Sequence, residues 1–164
     1  MNKTNVMRML DKAGIAYETA EYECEEDDLI GLHAAEQIKS ITPPQCFKTL
    51  VARGEKRGLL VFCIPVTKEL DLKAAAVLAK DKRVELIHVK ELPKLTGYIR
   101  GGCSPIGMKK KFPTFLDASA RQYEKIGVSA GARGAQVILA PGELAAFTEA
   151  EFGEIAKDME ENAL

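Results

Sequence analysis

The chain has 164 residues, 46% of them hydrophobic and 29% charged, with a formal net charge of −1. That is the profile of one globular domain of ordinary size, and it excludes a generally basic nucleic-acid binder. Any contact with phosphates must therefore use a local patch. No apolar run approaches the eighteen residues of a membrane span, and the N-terminal MNKTNVMRML lacks the apolar core of a signal peptide, so a cytoplasmic protein is expected.

Thr4 is placed to cap a helix over residues 5–13, with Val6, Met9, Leu10 and Ala13 on one face and Gly14 ending it. Residues 15–23 read as a strand and the acidic run Glu25–Asp28 as a solvated loop. A helix near Leu32–Lys39 follows and stops at Pro43-Pro44. Strands Cys46–Arg53 and Leu59–Pro65 form a hairpin across Gly54–Gly58. Asp71 caps an alanine-rich helix over Leu72–Lys80. A strand at Val84–Val89 precedes a helical turn at Glu91–Leu95. Phe112–Asp117, Lys125–Ser129 and Gln136–Leu139 read as strands, the last two paired across the turn SAGARG. Pro141 opens a helix, and Thr148 with Glu151 has capping-box spacing for a last helix to about residue 159. Hairpins mixed with helices imply one α/β domain with a mixed sheet.

Thr96–Lys111, TGYIRGGCSPIGMKKK, is the most informative segment. It combines paired glycines, a Ser-Pro step, a third glycine and three lysines, followed soon after by the glycine turn Ser129–Gly134. Two such turns suit a site where backbone touches a ligand. Gly102 and Gly107 have the spacing of a P-loop, but Met108 stands where its lysine belongs and Pro105 lacks an N–H, so that motif is rejected. A looser backbone nest for an anion or carbonyl stays open.

Lys48 alternates with Phe47 and Thr49 in a strand whose two faces are both apolar. It is read either as an edge lysine whose ammonium reaches water or as a point charge held in a pocket. Cys103 has no histidine placed beside it, which favours a small side chain lining a tight loop over a nucleophile. Lys109–Lys111 are read as a solvated face or a phosphate contact, Arg133 as a surface residue or a phosphate contact, and Tyr22 and Tyr98 as core residues or base platforms. His88 reads as structural, and neither the four separated cysteines nor the two histidines have zinc-site spacing.

FKTLV, the LDLK of Leu70–Lys73, TGYIRGGCSPIGMKK, Pro113-Thr114 and VSAGARGAQ occur in this order, and together they resemble the YbaK/EbsC family. These are free-standing relatives of the prolyl-tRNA synthetase editing domain, and the resemblance runs from about Tyr22 to Leu144. It implies a mixed, mostly antiparallel, barrel-like sheet flanked by helices. It also implies an enzyme that deacylates Cys-tRNA(Pro), a hydrolytic correction needed because a small pocket cannot strongly reject a near-isostere of proline. Lys48 becomes the main functional residue, with Tyr22, Thr49, Gly101, Gly102, Cys103, Ser104, Pro105, Ser129, Gly131 and Arg133 around the substrate. The family is thought to use the substrate's own thiol as nucleophile, so no cofactor or metal is implied. The implied partners are the tRNA(Pro) acceptor end carrying cysteine and prolyl-tRNA synthetase, with no membrane. Two alternatives stay open: water-driven deacylation of another mischarged tRNA such as Ala-tRNA(Pro), and a non-catalytic tRNA- or synthetase-binding module.

Overall fold

A computed structural model describes residues 2–23 and 32–160; the acidic run Glu25–Asp28, Cys24 and the side chain of His33 lie outside the described residues. Helix α1 spans Asn5–Ala13, with Thr4 Oγ1 accepting from Met7 N and Gly14 closing it in the left-handed conformation. Its buried face is Val6, Met7 and Leu10. Ala13 is exposed instead, because the short helix meets the core along its first two turns.

The described residues contain ten strands, and up to residue 148 all but the fourth are expected from the sequence. They are β1 (Glu18–Glu21), β2 (Phe47–Gly54), β3 (Gly58–Pro65), β4 (Lys68–Leu70), β5 (Val84–Leu86), β6 (Thr114–Asp117), β7 (Ile126–Ser129), β8 (Ala135–Leu139), β9 (Glu151–Gly153) and β10 (Ala156–Asp158). The remaining helices are α2 (Leu32–Gln37), α3 (Leu72–Leu78), α4 (Leu92–Thr96) and α5 (Pro141–Thr148). Asp71 caps α3 by accepting from Lys73 N and Ala74 N, and Pro141 sits in the first turn of α5, as their positions predict.

The strands make a five-stranded mixed sheet in the order β5-β2-β3-β6-β9, an antiparallel sheet β1-β8-β7, and an antiparallel pair β10-β4. Pairing is mostly antiparallel, with β3-β6 and β6-β9 parallel. The barrel-like closure expected from the family resemblance is not found. The five-stranded sheet ends on β5 and β9, and only an isolated bridge, Cys46 to Gly127, links β2 to β7 among the described residues. Closure would need continuous edge pairing, which one bridge does not supply.

Three apolar clusters surround the central hairpin β2-β3. Phe47, Val51, Val61 and Cys63 join α1 and Ile126, Val128 and Val137 in the first. Ala52, Leu60, Phe62 and Ile64 join Ala75, Ala76 and Ala79 of and after α3 in the second, where Phe62 and Phe115 stack at 5.2 Å between centroids. Cys46 and Val66 join Ala35, Ile38, Ile41 and Ile138 in the third.

The last expected helix is replaced by β9 and β10. Thr148 belongs to α5 and donates from Oγ1 to Leu144 O at 2.7 Å, so its hydroxyl is not a cap. Glu149 then turns at φ 57° and β9 pairs with β6. β4, unanticipated because it is three residues long, receives β10. Asp117 fixes this return. Its Oδ1 accepts from Ile155 N at 2.9 Å and Ala156 N at 3.1 Å, and its Oδ2 accepts from Ser119 N at 3.2 Å and Ser119 Oγ at 2.6 Å. Asp117→Ala strands buried donors. The expected loss is about 2–4 kcal/mol of unfolding free energy in urea titration, with Asp117→Asn losing less because Oδ1 can still accept.

Candidate functional site

Lys48 lies second in β2, opposite Ile64 of β3. Its neighbours on the same strand face are Cys46 in the third cluster, then Leu50 and Ala52 in the second. The lysine is thus the polar step between two apolar patches, half-buried. Burial pushes its ammonium below the usual lysine range, and the Glu69 carboxylate partly opposes that shift. Glu69 itself pairs with Lys157 at 3.6 Å, and among the described residues none forms an ion pair with Lys48. A cation that is partly desolvated and in no ion pair can meet developing negative charge at a favourable effective dielectric.

The start of β2 is anchored beside β7. Gln45 Nε2 donates to Lys125 O at 2.9 Å, and Cys46 bridges Gly127 in parallel. Two residues beyond that bridge, β2 reaches Lys48 and β7 reaches Ser129. Ser129 Oγ accepts from Gly131 N at 3.1 Å, and Ala130 N donates to Ala135 O at 3.0 Å, which together shape the second glycine turn.

The two glycine turns pack on one another. A Cβ on Gly102 would sit 3.2 Å from both Ala132 C and Arg133 N, so the two backbones approach too closely for a side chain. Arg133 Nε donates to Arg100 O at 2.8 Å, and its side chain lies against Gly101. Gly131, at φ 94°, faces Val6 of α1 and the ring of Tyr98. Tyr22 enters from β1: its N donates to Gly134 O at 3.0 Å, and its half-buried ring packs on the third cluster, which holds Cys46. Gln37 of α2 clamps the next residue, exchanging amide bonds with Glu23 N and O at 3.0 and 3.1 Å.

The expected residues therefore divide. Tyr22, Gly101, Gly102, Ser129, Gly131 and Arg133 gather at the paired turns, and Lys48 lies two residues beyond the Cys46–Gly127 bridge on the neighbouring strand. Thr49, Cys103 and Ser104 form the wall behind them. Thr49 Oγ1 lies 3.7 Å from Cys63 Sγ, and Ser104 is fully buried with Oγ accepting from Ile106 N at 3.3 Å. Cys103 sits in the first cluster, where burial raises its thiol to about 12, aided by nearby Cys63. That is the lining role, not a thiolate nucleophile. Pro105 lines a separate cleft. Tyr98 is a strut: its hydroxyl donates to Ile106 O and its ring abuts Gly131. Among the described residues no three His, Cys, Asp or Glu side chains gather as a metal-binding group.

Gln136 was not among the expected site residues. It is paired across strands with Ser129 and so shares its sheet face, and its buried Oε1 has no partner. The signal available in the sequence was one polar residue inside the apolar run AQVIL.

A half-buried lysine and two interlocked backbone turns, with no nucleophile–base pair among the described residues assigned to them, make a candidate binding-and-positioning site in a mixed α/β fold. The comparisons agree with that class. Residues 30–147 match the family model described as the aminoacyl-tRNA editing domain, and the chain belongs to that family. A relative in Enterococcus faecalis, named as a candidate Cys-tRNA(Pro)/Cys-tRNA(Cys) deacylase, EbsC, is 48% identical over 153 residues, 93% of each chain. A crystal structure described as a candidate trans-editing enzyme for prolyl-tRNA synthetase superposes with TM-score 0.79 at 25% identity, covering 95% of this chain and 99% of that one. A hypothetical protein, APE2540, shares the fold with TM-score 0.81 at 21% identity, over 94% and 100% of the two chains.

Gly102→Ala tests the interlock. The added methyl must displace backbone of the second turn, so the variant is expected to lose about 1–3 kcal/mol of stability in thermal or urea unfolding, whereas Gly142→Ala, in open space on α5, is expected to lose none.

Proposed function

We propose that this chain acts as a single editing domain that deacylates Cys-tRNA(Pro) in trans, with Lys48 at the centre of its site. The observation that carries the reading is Lys48 itself: partly desolvated, free of an ion pair among the described residues, and two residues beyond the bridge that ties β2 to β7. The 48% identity to a named candidate deacylase supports the substrate class.

The chemistry asks little of the protein. The substrate's cysteinyl sulfur, as thiolate, attacks its own ester carbonyl carbon. The carbon–oxygen bond to the terminal ribose breaks, the ribose oxygen takes up a proton, and a four-membered thiolactone leaves, later opened by water. A free thiol titrates near ~8.5, so a few per cent is already ionised at neutral pH. Well-oriented intramolecular attack reaches effective molarities of about 10⁵ M or more, offset in part by ring strain. The Lys48 ammonium opposes charge developing on the carbonyl oxygen. Backbone of the paired turns approaches the aminoacyl group, and Tyr22 and Arg133 stand at the rim toward the nucleotide. Serine esters survive because an alcohol ionises far less than a thiol. Selectivity for tRNA(Pro) comes from association with prolyl-tRNA synthetase.

The test is deacylation of Cys-, Ala-, Ser- and Pro-tRNA(Pro) by the purified chain. Only the cysteinyl ester is expected to turn over quickly, and Lys48→Ala is expected to lower its rate about 10²–10³-fold. Rapid release of alanine, or full activity in Lys48→Ala, overturns the reading. The pH profile supplies an independent check. The rate should climb as the substrate thiol ionises toward pH ~8.5. It should then fall as Lys48 loses its proton, at a pH below the ~10.4 of an ordinary lysine because burial favours the neutral amine. With an S-alkylated cysteinyl substrate the rising limb and the rapid turnover should both vanish.

A further inference from the structure

Residues 92–116 contain five cations, Lys94, Arg100, Lys109, Lys110 and Lys111, and no carboxylate, in a chain whose net charge is −1. The same segment builds a cleft of about 220 Å³ on the far side of the Pro105–Met108 bend. Met9 of α1, Ile106, Met108, Phe112 and Phe147 supply its apolar walls, and Lys110 and Lys111 stand among its lining residues. Lys111 pairs with Glu149, whereas Lys110 is exposed and has no ion pair among the described residues. The Lys109 stem lies against Gly97.

Helix α1 joins this cleft to the paired turns. Val6 lies over Gly131, and one helical turn further Met9 lies over Gly107, with Tyr98 between them reaching Ile106. Packed contacts therefore run without a break from the Gly101-Gly102 backbone to the cleft floor. Two phenyl rings and two thioethers offer a surface on which a flat apolar body can lie, and the adjoining lysines favour an anion. A flat base carrying a phosphate satisfies both. A base stacked within a duplex cannot enter such a slot, so the ligand must be unpaired.

We infer that this cleft binds an unpaired nucleotide of the RNA acceptor strand, its base against Phe112, Phe147, Met9 and Met108 and its phosphate on Lys110, while the terminal aminoacyl-adenosine occupies the Lys48 site. The inference rests on the editing reading and extends it to a second nucleotide. The cleft holds a strand already single and measures little of its sequence.

Binding, not turnover, is the readout, so the outcome does not depend on hydrolysis. The probe is a short single-stranded oligoribonucleotide with 2-aminopurine just before its 3′-terminal nucleotide, titrated against the full chain at several salt concentrations. Fluorescence should be quenched on binding, and a blunt RNA duplex should not compete. Lys110→Gln should weaken binding and flatten the log–log salt slope by about 0.7. Phe147→Ala should weaken it about tenfold or more and remove the quench. Lys110→Gln changes an exposed side chain, so it keeps the test open if Phe147→Ala fails to fold. Wild-type affinity in a folded Phe147→Ala variant, an unaltered salt slope in Lys110→Gln, or equal competition by the duplex overturns the cleft assignment. If those results appear while the chain still deacylates Cys-tRNA(Pro), the editing reading stands and the second nucleotide lies elsewhere. If the probe binds as expected and no aminoacyl-tRNA is deacylated, the cleft stands and the editing reading fails.

Discussion

The burial of β2 on both faces is the constraint on which the rest of the molecule depends. One face locks Phe47 and Val51 under α1, and the other sets Ala52 against α3. A strand held this way cannot slide, because a one-residue slip would exchange its two apolar faces. That rigidity is what places Lys48. A lysine on a mobile edge would keep its hydration and its ordinary basicity. Here the strand carries it between two apolar patches, with Glu69 only partly offsetting its desolvation and no ion pair among the described residues.

The second organising feature is the contact between two turns distant in sequence. The Gly101-Gly102 backbone meets Ala132-Arg133 at a separation that leaves no room for a side chain. The short antiparallel sheet β1-β8-β7 carries the second turn between β7 and β8. It is tied to β2 by one bridge and the Gln45 bond. The absence of a closed barrel among the described residues is consistent with this: the small sheet is a shelf beside the large one.

Much of this was legible in the sequence because local signals and tertiary structure agree. Thr4 and Gly14, the β2-β3 hairpin, Asp71 and Pro141 each state an element's boundary in chemistry that needs no distant partner. The failures have the opposite character. Thr148 and Glu151 carry a capping-box spacing, yet the decisive partners are Asp117 and β6, more than thirty residues earlier. A three-residue strand such as β4 has no periodicity to read and exists only because β10 returns to it. At the candidate site, residue types singled out Lys48 and the glycine turns as features requiring explanation. They could not separate Cys103 and Ser104, which face inward, from Gly101, which does not, because consecutive residues in an irregular loop follow no fixed facing rule. Nor could they show Gln136 beside Ser129, a relation created by strand register alone.

The fold's own sulfur chemistry has a consequence of its own. Cys46, Cys63 and Cys103 are all buried, and burial raises their thiols to about 11, about 12 and about 12. At neutral pH these three sulfurs are kept protonated and shielded from attack. On the function proposed above, a reactive aminoacyl ester is brought to the protein and could acylate it, and any ionised thiol nearby would be the first acceptor. By holding these three thiols silent, the core keeps them from competing with a thiol carried by the substrate proposed above.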